Sequence, residues 1–500
     1  MIQGTGSSVG KSLIVTAFCR AMAQDGYRVV PFKAQNMSNN AFVTPDGLEI
    51  SRAQAEQAKA CGVEPSVFMN PILLKPTTET GAQIVVLGQS VGTLTAKEYQ
   101  AQAHRWRRIV AESLSKLQAE ADVVVIEGAG SPVEINLKEY DVANMWTAHA
   151  ATARVILIGD IDRGGVFAQL VGTMELLSAE DRRLICGFLI NKFRGDGSLL
   201  TAGLEWLEDR YDLPVLGVLP YLSDVWLAEE DSVGLRQRPR SMSDSKSDSE
   251  DVLRIDVIRL PRIANFADFD PLMREPDVRL RFVERPLEDP LPDCVILPGT
   301  KSTVSDLAFV RQQGLESYLR RCVEAGKEIV GICGGFQMLG REILDPDHVE
   351  STNDCILGLG WLPTRTVFHR SKVTANVRGV HLESGLPVAG YEIHMGRMQE
   401  LSGMDFVFRL SKESQTAPER YDGLRSQDKR VWGTHVHGIF DRDGFRRWWL
   451  NRLRAHKGFS PLARQTVSVR DDEYDRLAEA VRCHVNLQAI YDVLRSIRDA

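Results

Sequence analysis

The sequence predicts an α/β protein with two parallel-sheet domains in tandem. Three observations predict it. Apolar runs of strand length recur in both halves, and four of those in the first half end in Gly, Asp, Asn or Pro. Helical stretches separate them, which is the pattern of buried parallel strands. A Ser-rich, charged segment, residues 236–251, interrupts the rhythm, which then restarts.

The elements follow in order. "KSLIVTAFCRAMAQDG" is helical, with Gly26 as its C-cap. Residues 27–32, 122–128, 153–160, 186–191 and 213–220 are strands. "RQRPRSMSDSKSDSED" has almost nothing to bury and reads as a disordered linker. Strands resume at 254–260, 293–299, 328–335 and 430–440, and from about residue 444 the chain is helical. The expected division is therefore 1–235, a linker at 236–251, 252–445, and a helical extension at 446–500. In such sheets ligands bind at the carboxyl ends of the strands, where the polar residues stand.

Composition narrows the function. The 500 residues are 43% hydrophobic and 25% charged, the profile of a globular chain long enough for two or three domains. The formal charge of -7 is spread along the chain without a basic run, so nucleic acid is not the expected partner. No apolar run approaches the ~20 residues of a membrane helix, and no membrane partner is expected. The 8 cysteines are scattered without a CxxC pair, which argues against a zinc ribbon and a disulfide scaffold and fits a reducing cytoplasm. The pattern specifies no oligomeric state.

The first chemical signal is "IQGTGSSVGKSL". Small residues let backbone N–H groups turn inward on phosphate oxygens, a lysine adds charge, and a hydroxyl at the helix start serves Mg²⁺. Gly10, Lys11 and Ser12 open the first helix, with Gly4 and Gly6 ahead of them. Thr5 stands where the common pattern has glycine, and only three residues precede Gly4. The feeding strand is short, or begins upstream. A flexible Gly/Ser terminus is the bland alternative. Glu127, after a buried strand and before a Gly-rich turn, supplies the carboxylate that Mg²⁺ sites require. Asp160, Asp162, Arg163, Asn191 and Lys192 stand at the ends of further strands.

The second signal is "VGICGGFQMLG". Cys333 follows a strand, precedes a helix and is flanked by glycines, as a nucleophile elbow requires. A helix N-terminus behind a thiol favours the thiolate. The N–H of Gly334 can serve an oxyanion hole, with Gly299 or Thr300 of "LPGTKST" as second donor. "GTHVHGIF" offers His435 and His437 as base. One domain that uses ATP and another that releases ammonia from glutamine together make a glutamine-dependent, ATP-driven amidoligase, because a carboxylate is a poor electrophile until it is phosphorylated.

"QGTGSSVGKS", "PFKAQNMSNNAFVTPDGLEISRAQAEQA", "MNPILLKP", "VVIEGAGSPVEINL", "DIDRGGVFAQLVGT", "ILPGTKST", "GICGGFQMLG", "GYEIHMG" and "GTHVHGIFD" resemble, in chain order, the cobyric acid synthase family. The resemblance covers nearly the whole chain. It implies a P-loop NTPase-like domain similar to dethiobiotin synthetase, then a flavodoxin-like glutamine amidotransferase domain of the class I type. The implied reaction amidates the b, d, e and g carboxylates of adenosylcobyrinic acid a,c-diamide, giving adenosylcobyric acid in cobalamin biosynthesis. The implied cofactors are ATP and Mg²⁺, and the implied partners a corrinoid and L-glutamine.

Carried onto this chain, the resemblance makes Cys333 the nucleophile and His437 its base, with Gly299 and Gly334 at the oxyanion. His435 stands where relatives often have an aromatic residue. Ile439 occupies the place of the acid in class I enzymes, so the third triad member is expected to be absent and His437 to be oriented otherwise, for instance by a backbone carbonyl. Gly4, Thr5, Gly10, Lys11 and Ser12 would hold ATP, with Asn191 reading adenine. Ser12, Glu127 and Asp46 would hold the metal. Lys33, Gln35, Asn36 and Asp141 would contact substrate. The rivals are the sister a,c-diamide synthase, a partition-type ATPase switch that shares the deviant loop, and an inactive paralogue with Gly6 where the loop commonly has an acid.

Overall fold

The structure is a computed structural model that describes residues 1–78, 80–222, 251–288, 290–401, 405–412, 418–463 and 470–498. Nearly all of the expected linker at 236–251 lies outside the described residues.

The first domain is a parallel sheet. Ile2–Gly4 pairs with Val155–Asp160, that strand with Ile185–Phe193, and that with Val215–Pro220. On the other side Val29–Phe32 pairs with Val123–Ile126, and the bridge between Ile2 and Glu127 joins the halves. All six residues of Val155–Asp160 are buried, which is why this strand reads as an unbroken apolar run. Because the strands are parallel, Gly4, Lys33, Glu127, Asp160 and Asn191 all arrive at one edge of the sheet. The short strand Ile2–Gly4 is fully paired with its neighbour, so the loop after it starts from a fixed point. Helix Lys11–Gln24 covers the sheet with Ile14, Val15 and Phe18; its C-cap is Asp25 rather than Gly26, which follows with a φ of 91° that suits glycine.

An insertion follows the second strand. It comprises the hairpin Ala41–Val43 with Glu49–Ser51, and a sheet of Gln35–Met37, Ile72–Pro76, Gly81–Val86 and Gln89–Thr95. Its strands are short or half-exposed, so they lack the long apolar signature of the main sheet.

In the second domain Val278–Val283, Leu253–Ile258, Cys294–Leu297, Glu328–Ile332 and Val431–Thr434 lie side by side in parallel. An antiparallel extension continues this sheet through Arg420–Arg425, Asp405–Lys412 and the long hairpin Thr364–His381 with Pro387–Glu400. Helix Asp443–His456 packs on this domain through Phe445, Trp449 and Leu453. Helices Arg470–His484 and Leu487–Arg498 return to the first domain, where Tyr474, Leu477 and Val481 share a core with Ile14 and Phe18. The two helical parts of the 446–500 segment thus cover different sheets.

The domains meet along a buried seam. Ala41, Val43, Leu73 and Val85 of the insertion cluster with Tyr391 and Ile393 of the long hairpin. Asn265 Oδ1 accepts the N–H of Ala41 at 2.9 Å, and Asn376 donates to Thr44 O at 2.9 Å. Lys75 and Lys372, one from each side, both bond the buried Glu49. No helix among the described residues is long and apolar enough to cross a membrane.

Candidate active site

The glycine-rich loop runs from the end of Ile2–Gly4 to the start of helix Lys11–Gln24. A Cβ at Gly4 would lie 2.4 Å from Val9 Cγ2, and one at Gly10, whose φ is 101°, would lie 2.2 Å from Asn191 Nδ2. Both positions therefore demand glycine. Lys11 Nζ donates to Gly6 O at 2.8 Å and Gly130 O at 3.0 Å, folding over the loop. Ser12 Oγ donates to Glu127 Oε1 at 2.8 Å. The same carboxylate takes Lys33 Nζ at 2.8 Å on Oε1 and Gln57 Nε2 at 2.6 Å on Oε2. Burial pushes the Glu127 carboxyl up, but Lys33, Gln57 and Ser12 outweigh it and hold it below the usual range. Glu127 is thus a charged, fully buried anchor beside the first helix.

The other sequence-derived positions divide. Thr5 turns away, its N–H on Ile158 O and its hydroxyl on Gln169. Asn191 Nδ2 donates to Val9 O at 2.8 Å, so it buttresses the loop while keeping its carbonyl oxygen and its second N–H for a base. Lys192 joins it there, bonding Ser8 O and Asp160, each at 2.7 Å. Lys33, Gln35, Asn36 and Asp141 line the same cavity as Lys11, Ser12 and Asn191. Asn36 is tied to Ser51 and Gln54, and Gln35 accepts from Tyr99. Asp141 accepts the N–H groups of Ala143, Asn144 and Trp146 and so fixes the turn that leads into helix Met145–Ala150. Asp46 is not brought to the site. It sits exposed in the turn between Ala41–Val43 and Glu49–Ser51, hydrogen-bonded to Thr44. Gln57 was not singled out for this cavity by the sequence reading, since it reaches the cavity through a side-chain contact, whereas Lys192 was marked as a strand-end residue beside the phosphate loop.

This cavity is about 1690 Å³, larger than the roughly 300–1,000 Å³ of common ligand pockets, and has room for a nucleotide and a second large molecule. Its far wall includes Arg262, Ile263 and Phe266 of the second domain.

Cys333 is 5% exposed and sits at φ 49°, ψ -108°, a strained backbone typical of an elbow. Its glycine neighbours are required. A Cβ at Gly335 would lie 2.0 Å from Leu297 O, and one at Gly334 would lie 2.6 Å from Thr300 Cγ2. Gly299 lies against His437, whose Cε1 would be 2.7 Å from a Cβ there. His437 is fixed by backbone bonds to Tyr391 of the long hairpin, at 2.8 and 3.1 Å. Burial pushes the Cys333 thiol up, but His437, His435 and the Gly334 N–H outweigh it and lower it. Burial lowers His437, but Asp268 and Cys333 raise it to about 10. The arrangement favours a thiolate–imidazolium pair.

The expectation that the third triad member is absent is corrected by the structure. His437 Nδ1 lies 2.7 Å from Asp268 Oδ2, both side chains buried, and Gly438 N–H donates to Asp268 Oδ1 at 2.9 Å. Ile439 is core, and the acid comes from the one-turn helix Phe266–Phe269 rather than from the histidine strand. His435 is held by its own acid, Asp422, at 2.9 Å.

The two sites share a wall. Along Ile72–Pro76, Leu74 and Pro76 line the large cavity while Lys75 lines the small cavity over Cys333. Beside it, Phe266 faces the large cavity while Ala264 and Asn265 face the small one.

Comparison with known proteins agrees with this two-site arrangement. The family described as CobQ/CobB/MinD/ParA nucleotide binding domain matches residues 1–234, and the CobB/CobQ-like glutamine amidotransferase domain matches residues 254–445. The chain is 47% identical to the cobyric acid synthase of Dehalococcoides mccartyi (strain CBDB1), over 99% of this chain and 98% of that one. The chain belongs to the cobyric acid synthase family. Members from Geobacillus kaustophilus (strain HTA426), 46% identical over 99% of this chain and 97% of theirs, and Sorangium cellulosum (strain So ce56), 48% identical over 97% and 96%, match it at similar length. In this chain the nucleotide-binding domain precedes the amidotransferase domain, and both sites described above fall inside the matched segments.

Within this family frame Gln57 gives a direct check on the Glu127 anchor. Replacing Gln57 with leucine removes a charge-assisted hydrogen bond of about 1.5–3 kcal/mol. ATP-dependent amidation should fall about 10–100-fold with either nitrogen donor, while hydrolysis of glutamine alone stays within about twofold.

Proposed function

We propose that this chain amidates the b, d, e and g carboxylates of adenosylcobyrinic acid a,c-diamide, using ATP to activate each carboxylate and glutamine as the nitrogen source. The observation that carries the reading is the pairing of a buried Cys333–His437–Asp268 triad with a phosphate loop across one shared wall.

In the second domain the Cys333 thiolate attacks the side-chain amide carbon of glutamine. The Gly334 N–H, at the start of helix Gly334–Leu339, receives the developing oxyanion, with Gly299 on the opposite side. His437 gives its proton to the departing nitrogen, releasing ammonia and leaving a glutamyl thioester. It then takes a proton from the water that frees glutamate. Asp268 keeps the Nδ1–H of His437 in place through both steps.

In the first domain Lys11 and the loop N–H groups orient the phosphates of ATP, and the carbonyl oxygen of Asn191 accepts from the base. A corrinoid carboxylate attacks the terminal phosphorus and ADP leaves. Ammonia displaces phosphate from the resulting acyl phosphate, leaving the amide. Ser12 Oγ and Glu127 Oε1 are hard oxygen donors 2.8 Å apart, a set that suits Mg²⁺. Among the described residues no group of three or more His, Cys, Asp or Glu forms a cage, which matches an ion held by one carboxylate together with phosphates and water. Mg²⁺ there would neutralise phosphate charge. Lys33 and the neighbouring Gln35 and Asn36 would face the corrinoid side. Ammonia would cross the wall at Ile72–Pro76 and Ala264–Phe266, which keeps it unprotonated.

Incubation with the corrinoid diamide, ATP, Mg²⁺ and glutamine, followed by mass analysis, tests the reading. Each amidation exchanges a hydroxyl for an amino group, and four successive steps are expected. Amidation of the a and c carboxylates of cobyrinic acid instead would overturn it.

A further inference from the structure

Two charged side chains stand in the small cavity over Cys333 with no part in the chemistry above. Lys301 follows the Gly299–Thr300 turn, its backbone N–H fixed by Arg262 O at 2.9 Å, and its side chain lines the cavity. Glu350 reaches in from the loop after Glu342–Leu344. Its Oε2 accepts from the N–H groups of Thr303 at 2.7 Å and Val304 at 3.4 Å, at the start of helix Thr303–Gln312. No carboxylate lies within 4.0 Å of Lys301 Nζ, and no cation within 4.0 Å of Glu350, among the described residues. The other two lysines that line this cavity, Lys75 and Lys372, are both engaged by Glu49.

Burial lowers the Lys301 ammonium, and it pushes the Glu350 carboxyl up to about 7. A close ion pair would have drawn the two in the opposite directions. An ammonium and a carboxylate, both half-buried, near enough to sense each other yet unpaired, are complementary to a ligand carrying both charges. Resting on the glutaminase reading of Cys333, we propose that Lys301 binds the α-carboxylate and Glu350 the α-ammonium of L-glutamine, so that the side-chain amide alone reaches the thiolate. The device also has a use in this reaction. The product is itself a carboxamide, and a site that demands both charges next to the amide does not hydrolyse it.

The test compares glutamine with two truncated amides. Glutaramate lacks the α-amine, and 4-aminobutanamide lacks the α-carboxylate. Ammonia release is measured as kcat/KM for the unmodified chain, Glu350→Gln and Lys301→Met. The unmodified chain is expected to prefer glutamine over each analogue by about 10–100-fold. Glu350→Gln should erase the preference over glutaramate and keep the preference over 4-aminobutanamide, and Lys301→Met should do the reverse. Equal losses on all three amides would overturn the proposal. If a variant fails to fold, the unmodified chain still decides, because no preference over either analogue would overturn it. Absence of any glutamine hydrolysis by the unmodified chain would overturn the glutaminase reading, and the proposal with it.

Discussion

Replacing Cys333 with alanine is expected to abolish glutamine-driven amidation, by at least about 10⁴-fold, and to leave ammonia-driven amidation within about twofold. The thiol is the nucleophile within reach of His437, and removing the nucleophile of a triad removes nearly all of its rate. Nothing in the Lys11–Ser12–Glu127 cluster touches it. The substitution is also conformationally mild. Alanine keeps the Cβ, so the strain of φ 49° persists at its original cost of about 1–3 kcal/mol. Glycine would relieve that strain and change two things at once. The measurement is product formation with glutamine or with ammonium at mildly alkaline pH, where part of the ammonium is deprotonated. Loss with both donors would mean that the Cys333 cavity supplies more than ammonia.

The phosphate loop and the elbow were legible in the sequence because their chemistry is local. A cradle for phosphate needs small residues in succession, and a strand-to-helix turn needs glycine on both sides of its nucleophile. The main strands were legible because both faces are buried. The insertion and the antiparallel extension were not, because their strands are short or half-solvated and leave no long apolar run.

Asp268 shows where reading by spacing stops. It lies 169 positions from His437, and sequence distance carries no contact information when two strand ends are joined by the fold. The search two residues beyond His437 met Ile439, a core residue. Asp46 fails in the opposite way. Pro45-Asp46-Gly47 is a turn signal, and the turn is what it forms, with Asp46 bonded to Thr44 at its own hairpin. Asp141 likewise precedes a helix, and its carboxylate is taken up by the N–H of Asn144 in the turn and of Trp146 in the helix's first turn.

Asp268→Asn should lower glutaminase turnover about 10³–10⁴-fold, the scale seen when the acid of a triad is made neutral. The direction follows from two contacts. Asp268 Oδ1 accepts from Gly438 N–H and Oδ2 faces His437 Nδ1. In the variant the amide oxygen keeps the Gly438 bond, which turns the NH₂ toward Nδ1. Nδ1 must then accept, so the ring proton moves to Nε2 and the face toward Cys333 can no longer take a proton. The pH profile separates this from simple loss of fold. In the native chain burial lowers His437, but Asp268 and Cys333 raise it to about 10, while Cys333 is held below its usual value. The thiolate–imidazolium pair therefore forms as pH rises through the depressed Cys333 value and is lost as pH rises through about 10. Without the Asp268 charge His437 releases its proton earlier, and the alkaline limb of kcat/KM for glutamine hydrolysis should move to lower pH. Ammonia-driven amidation should show no such movement. An alkaline limb that stays in place in Asp268→Asn would mean that His437 draws its charge from another group.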